Sequence, residues 1–244
     1  MKLISENQLL ENRIIKRFQK ALTDYCLIED DDYILVALSG GKDSLCLLEL
    51  LARRMQIFKP RFKVEAVHVK MENISYESDS QYLENFAQQW GIKLHILITS
   101  FNAETDKRKA PCFLCSWNRR KKIFSLAQEL GCNKLAFGHH MDDIIHTTMM
   151  NEYFQGRYCT MPVKLKLQKM PLTIIRPLCL EHEADMVEYA RIQGYRKQNK
   201  NCPYEKETHR SEVKALFEQI ERMNPEARFS VWNALEKANK LIEE

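Results

Sequence analysis

The sequence predicts an α/β protein with a doubly wound parallel sheet and a helical C-terminal extension. Short apolar runs typical of buried strands alternate with amphipathic helical patterns over most of the 244 residues. The run Tyr33–Leu38 leads through a glycine turn directly into a helix, as the strand of a βαβ unit does. Beyond Glu181 the pattern is helical.

The individual elements follow from apolar periodicity and from capping residues. The first helix begins at Ser5 and Gln8, which form a capping box, and carries an apolar face as far as Leu22. Further strands are predicted at Val64–Val69, Leu94–Ile98, Lys134–Phe137 and Leu172–Arg176, and helices at Asp79–Trp90, Ser116–Leu130 and Asp142–Phe154. Residues 156–171 are predicted to be irregular, and Asn224-Pro225 to begin a C-terminal helix. We therefore expect an N-terminal helix (1–30), a central α/β domain (31–200) and a helical extension (201–244).

Length, composition and charge fit one soluble enzyme of the cytoplasm. A chain of 244 residues can form one large α/β domain, and no apolar run approaches the roughly 20 residues needed to cross a bilayer. The N-terminus lacks the apolar segment of a signal peptide, so the eight cysteines are expected to be reduced thiols, metal ligands or catalytic groups. The net charge of +4 is mild and indicates no nucleic-acid partner by itself.

The glycine turn after the first strand predicts an anion site. Glycines let the backbone approach phosphate oxygens, and the amides and dipole of a helix N-terminus favour negative charge. The spacing is neither that of the Walker motif nor that of the dinucleotide fingerprint. A simple helix-capping turn is the structural alternative. The candidate phosphate-site residues are Leu38, Ser39, Gly40, Gly41, Lys42, Asp43 and Ser44.

A second motif, Pro111-Cys112-Phe113-Leu114-Cys115-Ser116, places two thiols three positions apart at the entry to a helix. Such a pair can bind a metal centre or undergo dithiol exchange, and it supplies only half of a four-ligand site. Cys202 is a candidate third ligand. Ordinary thiols remain the alternative for all three.

A third motif, Gly138-His139-His140-Met141-Asp142-Asp143, follows the fourth predicted strand and opens a helix. It therefore belongs at the same carboxyl edge of the sheet as the glycine turn. Asp142 and Asp143 could hold Mg²⁺ against phosphates, or could simply cap the helix. His139 is a candidate nucleotide contact with Gly138, and His68, at the end of the second predicted strand, is another.

Local basic clusters fit a phosphate-rich polymer lying across one face, although each cluster alone fits a solvated surface. They are Lys107-Arg108-Lys109, Arg119-Arg120-Lys121-Lys122, Lys164 with Lys166 and Lys169, and Arg196-Lys197 with Lys200. The candidate RNA contacts are Arg119, Arg120, Lys121, Lys164 and Lys166.

The order of these motifs, followed by Arg176-Pro177-Leu178 and then Cys202, resembles the tRNA 2-thiocytidine synthetase family. This is a branch of the Rossmann-like pyrophosphate-loop ATP pyrophosphatases, and the resemblance runs from the first strand to Cys202. It implies ATP and Mg²⁺ as cofactors and a [4Fe–4S] cluster held by Cys112, Cys115 and Cys202. Asp43 and these cysteines are then the catalytic candidates.

The family reaction replaces the C2 oxygen of an anticodon-loop cytidine in tRNA by sulfur. Transfer of AMP to that oxygen, with release of pyrophosphate, would turn a poor leaving group into a good one before sulfur attacks C2. The sulfur could be carried as hydrosulfide on the open iron or as a cysteine persulfide. Sulfide or a cysteine desulfurase would be the sulfur donor, an electron donor is a further partner, and the protein could be a homodimer.

Two departures and three competing functions accompany this hypothesis. Some relatives have a further cysteine where this chain has Glu205, and the cysteine-rich zinc modules of the thermophilic 2-thiouridine synthetases are missing. A tRNA-lysidine-synthetase-like ligase would use the cysteines only for packing. A small-molecule sulfur transferase or amidating enzyme would turn over ATP without depending on tRNA, and a nucleotide sensor would release no pyrophosphate.

Overall fold

The computed structural model describes residues 5–72, 80–101, 111–196 and 209–244. Their elements are α1 (Glu6–Asp24), β1 (Asp32–Ala37), α2 (Lys42–Met55), β2 (Phe62–Met71), α3 (Ser80–Gln89), β3 (Leu94–Thr99), α4 (Pro111–Leu130), β4 (Lys134–Ala136), α5 (Met141–Gln155), β5 (Lys164–Lys166), β6 (Thr173–Ile175), α6 (Glu183–Ile192), α7 (His209–Met223), α8 (Ala227–Lys237) and β7 (Ile242–Glu243). None of the helices in these ranges has the length and apolar character that a membrane span requires.

The sheet confirms the predicted doubly wound architecture. Within the described ranges its strand order is β3-β2-β1-β4-β6-β5-β7. The five strands from β3 to β6 are parallel, whereas β5 runs antiparallel to β6. β5 and β7 were not predicted. Both are very short, and the Lys-Leu-Lys sequence of β5 carries little of the apolar signal by which a buried strand is recognised.

Strand order reverses between β1 and β4, and this reversal locates the site. The chain leaves β1 towards β2 on one side, and returns to place β4 on the other, with Val36 opposite Ala136. In an open α/β sheet, ligands bind in the crevice at the carboxyl ends of the two strands where the order reverses. The turns after β1 and after β4 therefore face each other, as the sequence predicted.

Alternate residues of β1 supply two apolar cores, one on each face of the sheet. Ile34 and Val36 are fully buried in the larger core, together with residues of α1, α2 and α5. Leu35 points the other way, into a smaller core formed with α4. This period-two alternation is what a central strand buried on both faces requires. α4 packs against β2 and β3 on its face.

Two helix starts differ from the predictions. α4 begins at Pro111 rather than Ser116, since proline is well suited to a first helical position, and so both cysteines of the pair lie within its first turns. α8 begins at Ala227, because Asn224 instead forms a turn in which its Oδ1 accepts from the Glu226 N–H at 3.1 Å. The Ser5 cap of α1 is confirmed: its hydroxyl accepts from the Gln8 N–H at 3.3 Å.

Gly138, two residues after the end of β4, lies against the backbone of the α2 N-terminus. A Cβ at this position would stand 2.9 Å from the carbonyl carbon of Asp43 and 3.1 Å from the amide nitrogen of Ser44. Both atoms belong to backbone that cannot rotate away. Because Gly138 has no side chain, the turn after β4 can touch the turn after β1.

We predict that Gly138→Ala lowers the free energy of unfolding by roughly 1–3 kcal/mol, the cost of inserting a methyl group into tightly packed surroundings. Urea denaturation without nucleotide measures the effect. Gly41→Ala is the matched control, because a Cβ there meets only the Ser39 hydroxyl at 3.5 Å. Equal destabilisation by the two substitutions would contradict the close approach.

Candidate active site

The loop between β1 and α2 is braced by its own serines. The Gly41 N–H donates to Ser39 Oγ at 3.3 Å, and Ser39 Oγ lies 3.2 Å from Ser44 Oγ. Ser44 Oγ donates in turn to the Gly41 carbonyl at 2.9 Å. Gly40 has a φ of 84°, which turns the chain sharply into α2. The loop thus presents a helix N-terminus to the crevice in a fixed conformation, as an anion site requires.

Two carboxylates, those of Asp43 and Asp143, lie at this crevice. Lys42 Nζ donates to Asp43 Oδ2 at 3.1 Å, while Asp43 Oδ1 is buried without a hydrogen-bond partner among the described residues. Asp143 caps α5 by accepting from the His140 N–H at 3.2 Å, and its other oxygen lies 3.7 Å from Arg210. Both carboxylates line the same cavity.

Asp142, by contrast, is occupied by structural contacts. Arg228 approaches Asp142 Oδ1 at 2.6 Å, and the Glu183 N–H donates to Oδ2 at 2.8 Å. Burial opposes ionisation, but hydrogen bonding from His140 and the charge of Arg228 outweigh it and lower the pKa of Asp142. Asp142 does not line the cavity that Asp43 and Asp143 share. The pairing of Asp142 with Asp143 as magnesium ligands therefore receives no support from the geometry, and the helix-anchoring alternative fits Asp142.

A cavity of about 470 Å³ lies between the turn after β1, the turn after β4 and helix α4. It is called here the nucleotide cavity, after the ligand that the sequence predicts for this position. The predicted site residues that line it are Leu38, Ser39, Asp43, Ser44, His68, Gly138, His139, Asp143, Arg119 and Arg120. Gly40, Gly41 and Lys42 lie in the braced loop beside it. Lys42 lines a smaller neighbouring cavity of about 350 Å³ with Arg210 and Lys214.

The cysteine pair lies at the end of α4 that leads into this cavity. Cys112 is exposed and Cys115 is partly buried, and their spacing of three places them on one side of the helix. The following residues Ser116, Arg119 and Arg120 line the nucleotide cavity. Cys202 lies outside the described residues, as do residues 102–110, 197–201 and Glu205. Within the part of the chain that is described, no group of three His, Cys, Asp or Glu side chains could hold a metal ion.

Comparison with known proteins identifies the family. The PP-loop domain family matches residues 10–215. A tRNA-cytidine(32) 2-sulfurtransferase of Bordetella avium is 33% identical over 240 residues, which cover 95% of this chain and 75% of that protein. One from Cellvibrio japonicus is 32% identical over 231 residues, covering 93% and 76%. The chain belongs to the PP-loop family and, within it, to the tRNA-cytidine 2-sulfurtransferase branch.

A solved structure supports the PP-loop fold over nearly the whole chain. The U34-tRNA thiolase NcsA from Methanococcus maripaludis, determined with its [4Fe–4S] cluster, superposes with a TM-score of 0.79. The match covers 95% of this chain and 79% of that one at 24% identity. At this identity the likeness is one of fold. The family resemblance and the fold class inferred from the sequence are confirmed.

His139 of this PP-loop site is held neutral and in one tautomer. Burial, and then the positive charge of Arg176, lower the pKa of His139 to about 4. Arg176 Nε donates to His139 Nδ1 at 3.3 Å, so the proton of the neutral ring resides on Nε2. Arg176 is itself fixed by a hydrogen bond from Nη1 to the Pro162 carbonyl. His139 can therefore donate a hydrogen bond from Nε2 at any pH near neutrality.

Several functional side chains escaped the sequence analysis. Arg210 of α7 contacts Asp143 and lines the nucleotide cavity, and Lys214, one turn later, pairs with Glu183 at 2.7 Å. No local motif marks them, because a helix brings them to the site from far along the chain. Arg176 was noted only as part of a motif, and its pairing with His139 depends on the adjacent positions of β4 and β6.

The predicted RNA contacts are distributed over different surfaces. Arg119 and Arg120 line the nucleotide cavity, whereas Lys121 lies on a neighbouring side of α4. Lys164 and Lys166 lie on β5, and Lys166 lines a cavity that is separate from the nucleotide cavity. The run Arg119–Lys122 is therefore divided between two sides of one helix, as helical geometry requires.

Glu181 supports the turn that carries His139 and Asp143. Its carbonyl accepts from the Met141 N–H at 3.0 Å, at the start of α5. Its side chain is fully buried, with Arg17 Nη1 3.8 Å away and no hydrogen bond to either carboxyl oxygen from the described residues. Burial raises the pKa of Glu181 to about 8, so the carboxyl is protonated at neutral pH.

We predict that Glu181→Gln stabilises the protein at pH 8.5 but not at pH 4. Between the unfolded pKa near 4.5 and the folded value near 8, the folded state binds a proton that the unfolded state has lost. Wild-type stability therefore falls as pH rises through this window, by on the order of a few kcal/mol, and a neutral amide removes that loss. Urea denaturation at both pH values measures the difference.

Asp185→Asn is the matched control for Glu181→Gln. Burial opposes ionisation of Asp185, but hydrogen bonds from Arg13 and Arg17 outweigh it and lower its pKa. This substitution should therefore destabilise the protein at pH 8.5, opposite in sign to Glu181→Gln. If Glu181→Gln also destabilises the protein at pH 8.5, the raised pKa of Glu181 is refuted.

Proposed function

We propose that this protein is an ATP-dependent tRNA-cytidine 2-sulfurtransferase that replaces the C2 oxygen of an anticodon-loop cytidine by sulfur. The relatives named for cytidine 32 support that position as the target. The nucleotide cavity is the observation that carries the proposal. Three features meet there: the loop between β1 and α2, called here the phosphate loop, the turn from His139 to Asp143, and the cysteine-bearing helix α4. With tRNA as substrate, we propose the cytoplasm as the site of action.

The phosphate loop binds ATP and the carboxylates fit Mg²⁺. Amides at the N-terminus of α2 and the hydroxyls of Ser39 and Ser44 donate to phosphate oxygens. The buried, unpartnered Oδ1 of Asp43 shares the cavity with Asp143, and carboxylate oxygens are preferred Mg²⁺ ligands. We assign the metal to these two residues. Lys42, Arg210 and Lys214 line the smaller cavity beside them and would neutralise departing pyrophosphate.

His139 and the arginines stabilise the adenylation step. The cytidine C2 oxygen attacks the α-phosphate, and the bond to pyrophosphate breaks as the bond to C2–O forms. Negative charge increases on the transferred phosphoryl oxygens, where the Nε2–H of His139 and the guanidinium of Arg120 can donate. Sulfur then adds at C2, and AMP departs with the original oxygen.

The cysteines would hold the group that supplies the sulfur. Cys112 and Cys115, on one side of the first turns of α4, fit two ligands of an iron–sulfur cluster, and we assign Cys202 as the third. A [4Fe–4S] cluster with one iron lacking a protein ligand supplies a position at which a sulfur atom can be bound and delivered. Sulfide is one sulfur donor that we propose, and it needs no reductant. A cysteine desulfurase is the other, together with an external electron donor that supplies the two electrons needed to reduce its persulfide sulfur to the sulfide level. We propose a homodimer as the assembled form.

Conversion of cytidine 32 to 2-thiocytidine is the first test of this proposal. Reconstituted enzyme, ATP, Mg²⁺, reductant and sulfide should form product in an unmodified tRNA, detected by nucleoside mass spectrometry. Lys42→Ala should reduce pyrophosphate release and thiolation on the order of 10²-fold, because it removes a charge beside the phosphates. Lys237→Ala, on the exposed last turn of α8, is the matched control.

Products other than 2-thiocytidine would assign the protein to a different function. Lysidine or 2-thiouridine would move it to a sister branch of the PP-loop enzymes, and sulfur transfer only to small molecules would refute the tRNA substrate. Wild-type ATP turnover by Lys42→Ala would refute the assignment of the phosphate loop.

The iron content of the protein tests the proposed cluster. Anaerobically prepared protein should contain roughly four irons per chain with broad visible absorption. Serine at Cys112, Cys115 or Cys202 should abolish iron binding, whereas Cys26→Ser, an exposed thiol outside the site, should retain it. Stoichiometric zinc, with no capacity to assemble iron and sulfide, would instead indicate a structural metal site.

A further inference from the structure

A second large cavity, called here the hairpin cavity, lies between α4 and the β5–β6 hairpin. Its volume is about 700 Å³, larger than that of the nucleotide cavity. The helix contributes Trp117, Phe124 and Gln128, and the hairpin contributes Leu167, Met170 and Ile174. The lining is thus mainly apolar and aromatic, which is typical of a site that takes a flat organic ring.

The hairpin cavity adjoins the nucleotide cavity through a common wall. Arg120, Phe137 and His139 line both of them. The Nε2–H of His139, whose orientation Arg176 fixes, is therefore available where the two spaces meet. A ligand in one cavity can therefore approach a ligand in the other at this shared wall.

The two cavities differ in the charged residues that line them, and they therefore suit different ligands. Asp43 and Asp143 line the nucleotide cavity, which suits a triphosphate with its metal ion. Among the described residues, the hairpin cavity has no Asp or Glu in its lining but has four cations, Arg120, Lys121, Lys169 and Arg176. An apolar space ringed by cations suits an aromatic ring attached to phosphates without a bound metal.

An aromatic pair on α4 adjoins the hairpin cavity, because Trp117 is part of the cavity lining. Trp117 is 60% exposed and Phe113 is 48% exposed, and their rings are stacked with an interplanar angle of 10° and centroids 6.4 Å apart. Exposed aromatic faces of this kind bind unpaired bases by stacking. Both residues lie on the turns of α4 that also carry Cys112 and Cys115.

We infer that the hairpin cavity receives the target nucleotide of the RNA substrate, flipped out of its loop, with the C2 oxygen directed at the shared wall. This inference rests on the proposed function. Phe124 and the hairpin side chains hold the base, Lys121 and Lys169 contact the flanking phosphates, and His139 lies where the C2 oxygen meets the α-phosphate. Trp117 stacks with a neighbouring base of the loop.

Filling the cavity tests the inference. Ser125 lines the hairpin cavity from an exposed position on α4, so Ser125→Trp introduces bulk with little effect on folding. We expect kcat/KM for tRNA thiolation to fall at least roughly tenfold, the lower range for a misplaced substrate. Nucleotide affinity and iron content should be those of the wild type. Ser230→Trp, on the exposed surface of α8, is the matched control and should thiolate normally.

Photocrosslinking locates the base directly. Full-length tRNA with 4-thiouridine at the target position, irradiated on the cluster-loaded enzyme with a non-hydrolysable ATP analogue, should crosslink to residues 117–128 or 165–174. The same nucleoside placed in the acceptor stem should not. Crosslinks elsewhere from the target position would overturn the inference.

The outcomes separate this inference from the proposed function. If the wild type forms no 2-thiocytidine, the function itself fails. If the wild type is active and Ser125→Trp retains full kcat/KM, only the hairpin-cavity assignment fails. If Ser125→Trp converts a dimer to a monomer in sedimentation, the cavity is a subunit interface and the assignment is likewise refuted.

Discussion

The backbone contact between Gly138 and the start of α2 is the constraint on which the site depends. A Cβ on Gly138 would lie within 3.1 Å of three backbone atoms of Asp43 and Ser44. Because the two turns touch, the carboxylates of Asp43 and Asp143 share one cavity, and His139 follows Gly138 directly into it. The strand order creates the crevice, and this contact brings the turns on its two sides together.

Around this contact the cations and the carboxylates are only partly separated, because Lys42 pairs with Asp43 and Arg210 lies near Asp143. Carboxylates and Lys42 lie on the α2 and α5 side, where a metal ion and phosphates are expected. Arg120 of α4 and Arg176, directly after β6, lie on the other side, and their charges add to the effect of burial in lowering the pKa of His139. A protonated His139 would add another positive charge and could not accept from Arg176. Its neutral form is therefore required for the hydrogen bond that orients it.

How much the sequence could predict depended on whether the signal was local. The phosphate loop, the His-Asp turn and the parallel strands each have a continuous motif, and the structure brings the first two together as expected. β5 was missed because three residues with two lysines lack a strand pattern. Asp142 was paired with Asp143 because adjacent carboxylates look equivalent in sequence, whereas neighbouring helical residues point in directions about 100° apart. Arg210 and Arg228 arrive from helices remote in the chain, where no local pattern announces them.

The turn of about 100° between neighbouring helical residues also explains how α4 can face several parts of the site at once. Its first turns carry Cys112 and Cys115, one stripe through Ser116 and Ile123 faces the nucleotide cavity, and the next stripe through Trp117 and Phe124 faces the hairpin cavity. Arg120 lies between the stripes and reaches both cavities. A loop or strand would not hold three such surfaces in fixed relation. In the proposed reaction, activation occurs at the C2 oxygen of the target base and sulfur adds at the C2 carbon to which it is bonded. A single rigid helix would hold the groups for both steps in fixed positions relative to that one C2–O bond.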